Sequence, residues 1–384
     1  MSALDAVDAV DAVHAVEREL LAAEPALPAL ALALDDTALR SWAAAHGVDL
    51  PPAARVDRLR HKAGTSVRVA VDPGDGGPWW LLHGYCADAA GKAAKDVRHA
   101  RGTGPAVLDE RLRAALVPAF ADRDLPGLRE PRAAGSRTLA HNPGRRAVLR
   151  RGDVLLKVHA TGGTAARAVA AAGLLRAAGT RTPATALRGE RTAEQAVAAG
   201  TPFEAGSAAG AVEHLLRRWS RAGTGTLPVL GPTGIDTAVR DVLRSPGPLP
   251  PAARDRVRAL GPRWEVAVRE HAPALAPRVL CHGDLSPDQL LRGPDGEPTV
   301  LDLDRAARGP AGWDAASWRA ACTALGVPPG DVPAPHPLLL AAAALLRLPE
   351  PFRRRRPGWT AATADLAALA SAALDELTGR EEPC

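Results

Sequence analysis

The sequence predicts an α+β chain in which two small β-rich segments precede a larger helical half. Three observations carry that expectation. Residues 56 to 100 read as three short strands followed by a helix, and the same order recurs eighty residues later, Leu139 lying over Leu59. Beyond residue 203 the apolar residues fall at helical spacing, apart from one hairpin pattern between Cys281 and Ala306. A length of 384 residues with 46% hydrophobic content has room for several cores. The expected divisions are a helical segment over 1–50, a meander and helix over 51–130, a second β-rich segment over 131–203 and a helical part over 204–384.

Composition sets limits on function. The longest unbroken apolar run, Leu338 to Leu346, is too short to span a bilayer, and no basic stretch precedes an apolar one near Met1. The expectation is a cytoplasmic protein with no membrane partner. Cys86, Cys281, Cys322 and Cys384 show no CxxC or Cys/His ligand spacing, which points to reduced, structural thiols. The net charge of +5 is scattered, and 3% aromatic content offers no stacking platform for bases, so nucleic acid is not an expected partner. Arginine supplies nearly all the cations; the only lysines are Lys62, Lys92, Lys95 and Lys157. A lysine kept inside a strand, as Lys157 is, points to a need for a compact ammonium.

In chain order, residues 1 to 50 read as helical. Val7, Val10, Val13 and Val16 recur every three residues, a spacing that drifts around a helix and defines no sharp face, so this end is expected to fray. Leu20, Leu21, Leu39 and Trp42 are expected core contacts, and Pro51-Pro52 closes the segment. Strands follow over 56–62, 67–71 and 79–85, with turns at Ala63-Gly64 and at PGDGG, then a helix carrying Lys92 and Lys95. In the second copy LAHNPGRRAVL, Leu139 to Leu149, lies over LRHKAGTSVRV, Leu59 to Val69. Asn142-Pro143-Gly144-Arg145 fits a type II turn, because Pro fixes φ at its second position and Gly supplies a positive φ at its third. A turn at Arg151-Gly152-Asp153, a strand over 154–158 and an alanine-rich helix over 164–178 complete the copy. Strands near 184–187 and 194–198 lead to a connecting stretch over 196–203.

The helical half is expected to hold helices over 212–219 and 252–268, the second interrupted at Gly261-Pro262. A further helix begins at Trp313-Asp314 with Asp314 as a capping residue, and a last one over 361–377 has Leu366, Leu369, Ala373, Leu374 and Leu377 on one face. The run Arg353 to Arg356 reads as a solvated turn, with an anionic partner as the other possibility. Between the helices, CHGDLSPDQLL (Cys281 to Leu291) and TVLDLDRA (Thr299 to Ala306) flank the turn signal Pro294-Asp295-Gly296. This reads as a β-hairpin that presents His282, Asp284 and Gln289 near one end and the strand-end carboxylate of Asp302 beside them.

That constellation resembles the catalytic centre of the aminoglycoside phosphotransferase and choline kinase group, relatives of the protein kinases. The group carries a His-x-Asp, an Asn five residues on, and a metal-binding Asp at the end of the next apolar strand. The resemblance implies a bilobal, protein-kinase-like fold over 135–380: a β-rich small lobe with a hinge near 196–203, and a helical large lobe. The region before residue 131 becomes an N-terminal cap; cap and Gln289 together are similar to maltokinases. It implies ATP and Mg²⁺ as cofactors and a small-molecule hydroxyl (sugar, aminoglycoside or amino alcohol) as acceptor. Asp284 would orient the acceptor hydroxyl or take its proton, while Asp302 and Gln289 would hold Mg²⁺. Lys157 would grip the α- and β-phosphates, a solvent-facing lysine being the bland alternative.

The Asn142 to Arg145 turn stands where such enzymes cover the phosphates, yet it has one Gly and a Pro without an N–H. Arg145 or Arg146 would have to supply charge there, unless this is a plain surface turn. His282 is expected to fix the loop by hydrogen bonds. Asp304 either assists the metal or acceptor or pairs with Arg305 or Arg308. One departure stands out: the helix over 164–178 carries Arg167 and Arg176 and no acid, where the family has a Glu for its Lys. Glu190 and Glu194 lie beyond it. A degenerate kinase-like fold that binds nucleotide or a partner without turnover is therefore the alternative, and a hydrolytic metal site of His282, Asp284, Asp302 and Asp304 a weaker one.

Overall fold

Apolar alternation closed by Gly turns builds the N-terminal half. In the computed structural model, which describes residues 3–130, 135–203 and 208–379, helices α1 (Ala3–Ala23), α2 (Leu30–Leu34) and α3 (Asp36–Ala45) come first. Strands β1 (Arg55–Lys62), β2 (Ser66–Asp72) and β3 (Trp80–Tyr85), helix α4 (Gly91–His99), and strands β4 (Val107–Asp109) and β5 (Ala114–Pro118) follow. The sheet order is β1-β2-β3-β5-β4. One core gathers Leu81, Tyr85, Ala93, Ala115 and Val117 between this sheet and α4. Leu39 is buried as its spacing predicts, whereas Leu21 is 36% exposed and Val16, at 4%, occupies the inward face of α1 instead. Leu21 lies five residues beyond Val16, about 140° around the helix, so the two do not share a face.

The second copy repeats the plan: β6 (Arg137–Asn142), β7 (Arg146–Arg151), β8 (Val154–His159), α5 (Gly162–Ala177), β9 (Thr185–Leu187) and β10 (Thr192–Ala196). Its order, β6-β7-β8-β10-β9, is that of the first sheet strand for strand. The hairpin registers coincide, Lys62 opposite Ser66 and Asn142 opposite Arg146. The bulges do not: one falls between Val56 and Arg58, the other between Thr138 and Ala140. Leu139 is itself the extra residue of its bulge and is 41% exposed, whereas its counterpart Leu59 pairs with Val69 and is fully buried.

The copies share one more device. In the first, Glu24 Oε1 lies 3.1 Å from His61 Nε2 and Glu24 Oε2 accepts the Gly64 N–H at 2.8 Å. In the second, Asp122 Oδ2 lies 2.9 Å from His141 Nε2 and accepts the Gly144 N–H at 2.8 Å. One carboxylate thus ties a strand histidine to the turn glycine, and Gly144 adopts the positive φ of 64° that the turn requires.

The chain separates into two compact units, the first comprising Met1–Ala165, Leu187–Gln195 and Phe352–Pro357, the second Ala166–Ala186, Ala196–Pro351 and Gly358–Cys384. The second holds β11 (Thr201–Pro202), α6 (Ala209–Trp219), α7 (Pro232–Arg244), α8 (Pro251–His271), β12 (Pro277–Cys281), β13 (Leu290–Arg292), β14 (Pro298–Val300) and β15 (Ala307–Pro310). Helices α9 (Trp313–Leu325), α10 (Pro337–Arg347), α11 (Glu350–Arg353) and α12 (Trp359–Thr378) complete the chain. Trp264, Leu339, Leu345, Leu366 and Leu374 lie in the main core of the second unit.

Two expectations are corrected here. Helix α8 runs unbroken through Pro262, because Leu260 and Trp264 on its inner face are buried to 0% and 1% exposure. Pro262 itself is exposed, so the hydrogen bond it cannot make frees only a solvated carbonyl. The arginine run is not a solvated turn. Arg353 to Arg356 are half-buried and belong to the first unit, where Arg355 bonds the Glu17 carboxylate and the Leu34 carbonyl.

Candidate active site

The CHGD loop leaves β12 where Leu280 and Cys281 pair with Arg308 and Ala307 of β15. Gly283 takes φ 87°, and a Cβ there would run into the Arg305 carbonyl, so only glycine fits. Asp314, in the first turn of α9, accepts the His282 N–H at 2.7 Å and the Gly283 N–H at 2.9 Å. It makes no cap to its own helix, which starts after Gly312; the expected capping residue is an anchor for the loop. Burial raises the pKa of this fully enclosed carboxyl, against the opposing charge of His282 and the two N–H donors. The ring of His282 is fully buried, donates from Nε2 to the Leu301 carbonyl at 2.7 Å and stacks on Trp219 at 6.4 Å. It joins the loop to the strand that ends in Asp302, the structural role its position suggested.

The hairpin forms as β13 and β14, Leu290 opposite Val300, and β11 adds a third strand through Thr201 and Pro202. A hydrogen bond of 2.9 Å from the Leu301 N–H to the Gln289 carbonyl puts Gln289 beside the end of β14. Asp302 follows in a left-handed conformation, φ 57° and ψ 56°, which Asp tolerates better than most residues. Gln289 is 8% exposed, and its Oε1 has no hydrogen-bond partner among the described residues. Such a buried acceptor costs on the order of 1–3 kcal/mol when left unpaired, and a hard cation would satisfy it. Two protein oxygen ligands supplemented by phosphates suit Mg²⁺, which seldom uses an all-protein cage. Among the described residues no group of three His, Cys, Asp or Glu is placed to hold a metal.

Asp284 is 29% exposed in its side chain, and both its oxygens have cationic neighbours: Arg347 Nη2 at 2.6 Å from Oδ1 and Arg305 Nη1 at 3.4 Å from Oδ2. Asp304 is buried, and its backbone carbonyl accepts from Arg167 of α5 at 3.3 Å. The second unit therefore brings His282, Asp284, Gln289, Asp302 and Asp304 together. Sequence reasoning missed Arg347, the anchoring role of Asp314 and the contact of Arg167. Only Asp314 left a signal, an acid at the start of the next helix.

Lys157, Arg145 and Arg146 belong to the first unit. Lys157 is 7% exposed, which removes the solvent-facing alternative. Its neighbours Leu156 and Val158 enter the core of Leu125, Leu128 and Leu149, so Lys157 projects from the other face of β8. The ladder places Lys157 opposite Val148 as it places His83 opposite Arg68 in the first sheet. There His83 Nδ1 and the Tyr85 hydroxyl bond Asp96 of α4 at 2.8 and 2.6 Å. The first copy thus keeps a strand base and a helix acid in the arrangement whose acid α5 lacks. Glu194 accepts from Arg188 at 3.0 and 2.8 Å, so that carboxylate is engaged by an arginine. At the Asn142 turn the Pro143 carbonyl accepts from Arg60 at 2.6 Å and the Gly144 N–H is taken by Asp122. Arg145 is exposed at the tip and Arg146 half-buried.

A lysine set inside a five-stranded sheet, and a helical unit that fixes an HGD loop beside a strand-end carboxylate, define a kinase-like α+β phosphotransferase. The model of the phosphotransferase enzyme family matches residues 137–334, more than half of the chain, and the protein belongs to that family. No curated protein matches it. Among solved structures it is similar to a choline/ethanolamine kinase family protein from Mesorhizobium loti: 17% identity, 66% of this chain and 96% of that one covered, TM-score 0.44. It is also similar to choline kinase LicA from Streptococcus pneumoniae, at 12% identity, 63% and 93% coverage and TM-score 0.45. A third is macrolide 2'-phosphotransferase MphH from Brachybacterium faecium, at 19%, 68% and 99%, and 0.35. No described helix is long and apolar enough to cross a membrane.

Proposed function

We propose that this protein moves the γ-phosphate of ATP to a hydroxyl of a small molecule, with an uncharged sugar or small alcohol favoured over a polycation. The observation that supports the reading is the loop that carries Asp284, held by Asp314 and by the bond of His282 to Leu301, together with a buried Gln289 Oε1 that has no hydrogen-bond partner among the described residues. Asp284 orients the acceptor hydroxyl and accepts its proton as the oxygen attacks. Asp302 and Gln289 would hold Mg²⁺, with Asp304 and His282 in support, and Lys157 would bind the α- and β-phosphates. When bound, Mg·ATP supplies the transferable phosphoryl group and charge neutralisation; the chain supplies positioning. Arg145, exposed at its turn, and Arg146 would supply the positive charge there for phosphate contact, since the Gly144 N–H is bonded to Asp122.

The test is a Mg·ATP turnover screen over sugars, aminoglycosides and amino alcohols, with Asp284→Asn as control. Turnover that depends on Asp284 is the expected result. A second reading, nucleotide binding without turnover, is favoured by the acid-free α5 and the engaged turn. Mg·ATP binding with no turnover of any acceptor would establish it.

A further inference from the structure

The most specific contact that Asp284 makes lies outside the residues matched by the family model, on α10. Arg347 Nη2 donates to Asp284 Oδ1 at 2.6 Å, to Ser317 Oγ at 3.1 Å and to the Leu285 carbonyl at 3.4 Å. Its side chain is 15% exposed, so this guanidinium is built into the protein, whereas Arg305, beside Oδ2, is 63% exposed. The consequence for Asp284 is asymmetric. Oδ1 is held by the enclosed Arg347, whereas the neighbour of Oδ2 is the exposed Arg305, a contact that an incoming hydroxyl can displace.

The charge around that hydroxyl follows from the same contacts. Two guanidiniums flank one carboxylate, and Asp314, the next carboxylate on the loop, is buried with both oxygens on backbone N–H groups. On the reading above Asp302 and Asp304 face the metal, which leaves two guanidiniums against Asp284 alone at the acceptor position. An ammonium near the reacting hydroxyl would meet like charge in a partly desolvated site, where repulsion is strong. Uncharged polyols meet none.

On the phosphotransferase reading above, we propose that Arg347 positions Asp284 and selects the charge class of the acceptor, admitting neutral hydroxyl compounds and disfavouring cationic ones. All three acceptors are reached from the one nitrogen Nη2, aimed by the planar guanidinium behind it; Lys at this place keeps the charge and loses that aim. That difference separates the two roles. Arg347→Lys is to retain selectivity with reduced kcat, and Arg347→Gln is to lose both.

The experiment measures Mg·ATP turnover against glycerol, glucose and maltose and against ethanolamine, choline and kanamycin, with acceptor-free ATP hydrolysis as baseline. Wild type, Arg347→Lys, Arg347→Gln and Ser317→Ala are compared, with Tm recorded for each. Expected is a wild-type kcat/KM at least about tenfold higher for the neutral set, the order that one like-charge contact produces. Arg347→Gln is expected to lower kcat by about tenfold or more with KM for Mg·ATP within about twofold, as for an interaction made at the reacting centre, and to narrow the preference. If Arg347→Gln is too unstable to assay, Ser317→Ala, which keeps the charge and removes one anchor, is expected to lower kcat and keep the preference. Wild-type preference for the cationic set, or unchanged kcat and preference in the variant, overturns the proposal. No Asp284-dependent turnover by wild type, hydrolysis included, overturns the phosphotransferase reading instead.

Discussion

Asp284 owes its place to a glycine that no other residue could replace and to a guanidinium 63 residues further along the chain. Asp284→Asn keeps the shape and removes the charge, so folding and Mg·ATP affinity are expected to stay near wild type while turnover falls on the order of 10²- to 10⁴-fold. Calorimetry and steady-state kinetics on one preparation check this; near-normal turnover by a folded variant would remove Asp284 from its role. Lys157→Met tests the other unit. Lys157 is 7% exposed, and a side chain of similar length preserves packing and deletes the ammonium. A strong loss of turnover with weakened ATP binding is expected; equal values for the two proteins would falsify the nucleotide role. The residues set by short spacing were legible in the sequence: Asp284, Gln289 and Asp302 fall on one loop and hairpin. Arg347 was not, because an arginine closing an apolar helix is equally explained by the helix C-terminus it sits on.

At the scale of elements, the repeat was legible because a His, a Gly and the strand after them recur in register, and those residues carry the clamp. Glu24 and Asp122 were illegible, since each lies far along the chain from what it binds, 40 residues from Glu24 to Gly64 and 19 from Asp122 to His141. The displaced bulge that turns Leu139 outward left no trace in composition either. The clamps make acid stability predictable. For Asp122 burial alone would raise the pKa, but the hydrogen bond and charge of His141, with the Gly144 N–H, hold it well below the carboxylate value of 3.8. Asp96 is likewise lowered, burial being outweighed by His83 and Tyr85. Carboxyls with depressed folded pKa values contribute stability above their unfolded value and lose it as pH falls through the folded one. Burial holds the pKa of His61 below 6.5, with Glu24 opposing, so its contribution is complete above pH 6.5 and declines below. Urea melts should show a shallow loss beginning below pH 6.5 and a steep one below pH 3.8. Asp122→Asn should flatten the lower step and leave the upper one; an unchanged lower step would mean that this carboxylate does not govern it.

At the scale of the whole molecule, the region before residue 131 is expected to be part of the first unit's core and not a dispensable appendage. Leu125 and Leu128, 0% and 4% exposed, lie in one cluster with Ala147, Leu149, Leu156 and Val158 of the second sheet. The same region supplies Asp122 to His141 and Gly144, Arg60 to the Pro143 carbonyl, and Glu17 and the Leu34 carbonyl to Arg355. A chain restricted to 131–384 would uncover that apolar cluster and strip partners from a buried histidine, a turn and a half-buried guanidinium at once. Each buried group left unpaired costs about 1–3 kcal/mol, and several together rival the ~5–15 kcal/mol by which a typical domain is stable. The truncated chain should therefore partition into the insoluble fraction or scatter light at concentrations where the full chain stays clear. A milder variant isolates the apolar part of the argument. Leu128→Ala in the full chain leaves every polar partner in place and should lower Tm through the cavity alone, a change worth about 2–5 kcal/mol. A soluble, fully active 131–384, together with an unaltered Tm for Leu128→Ala, would show instead that the second sheet is complete without the first.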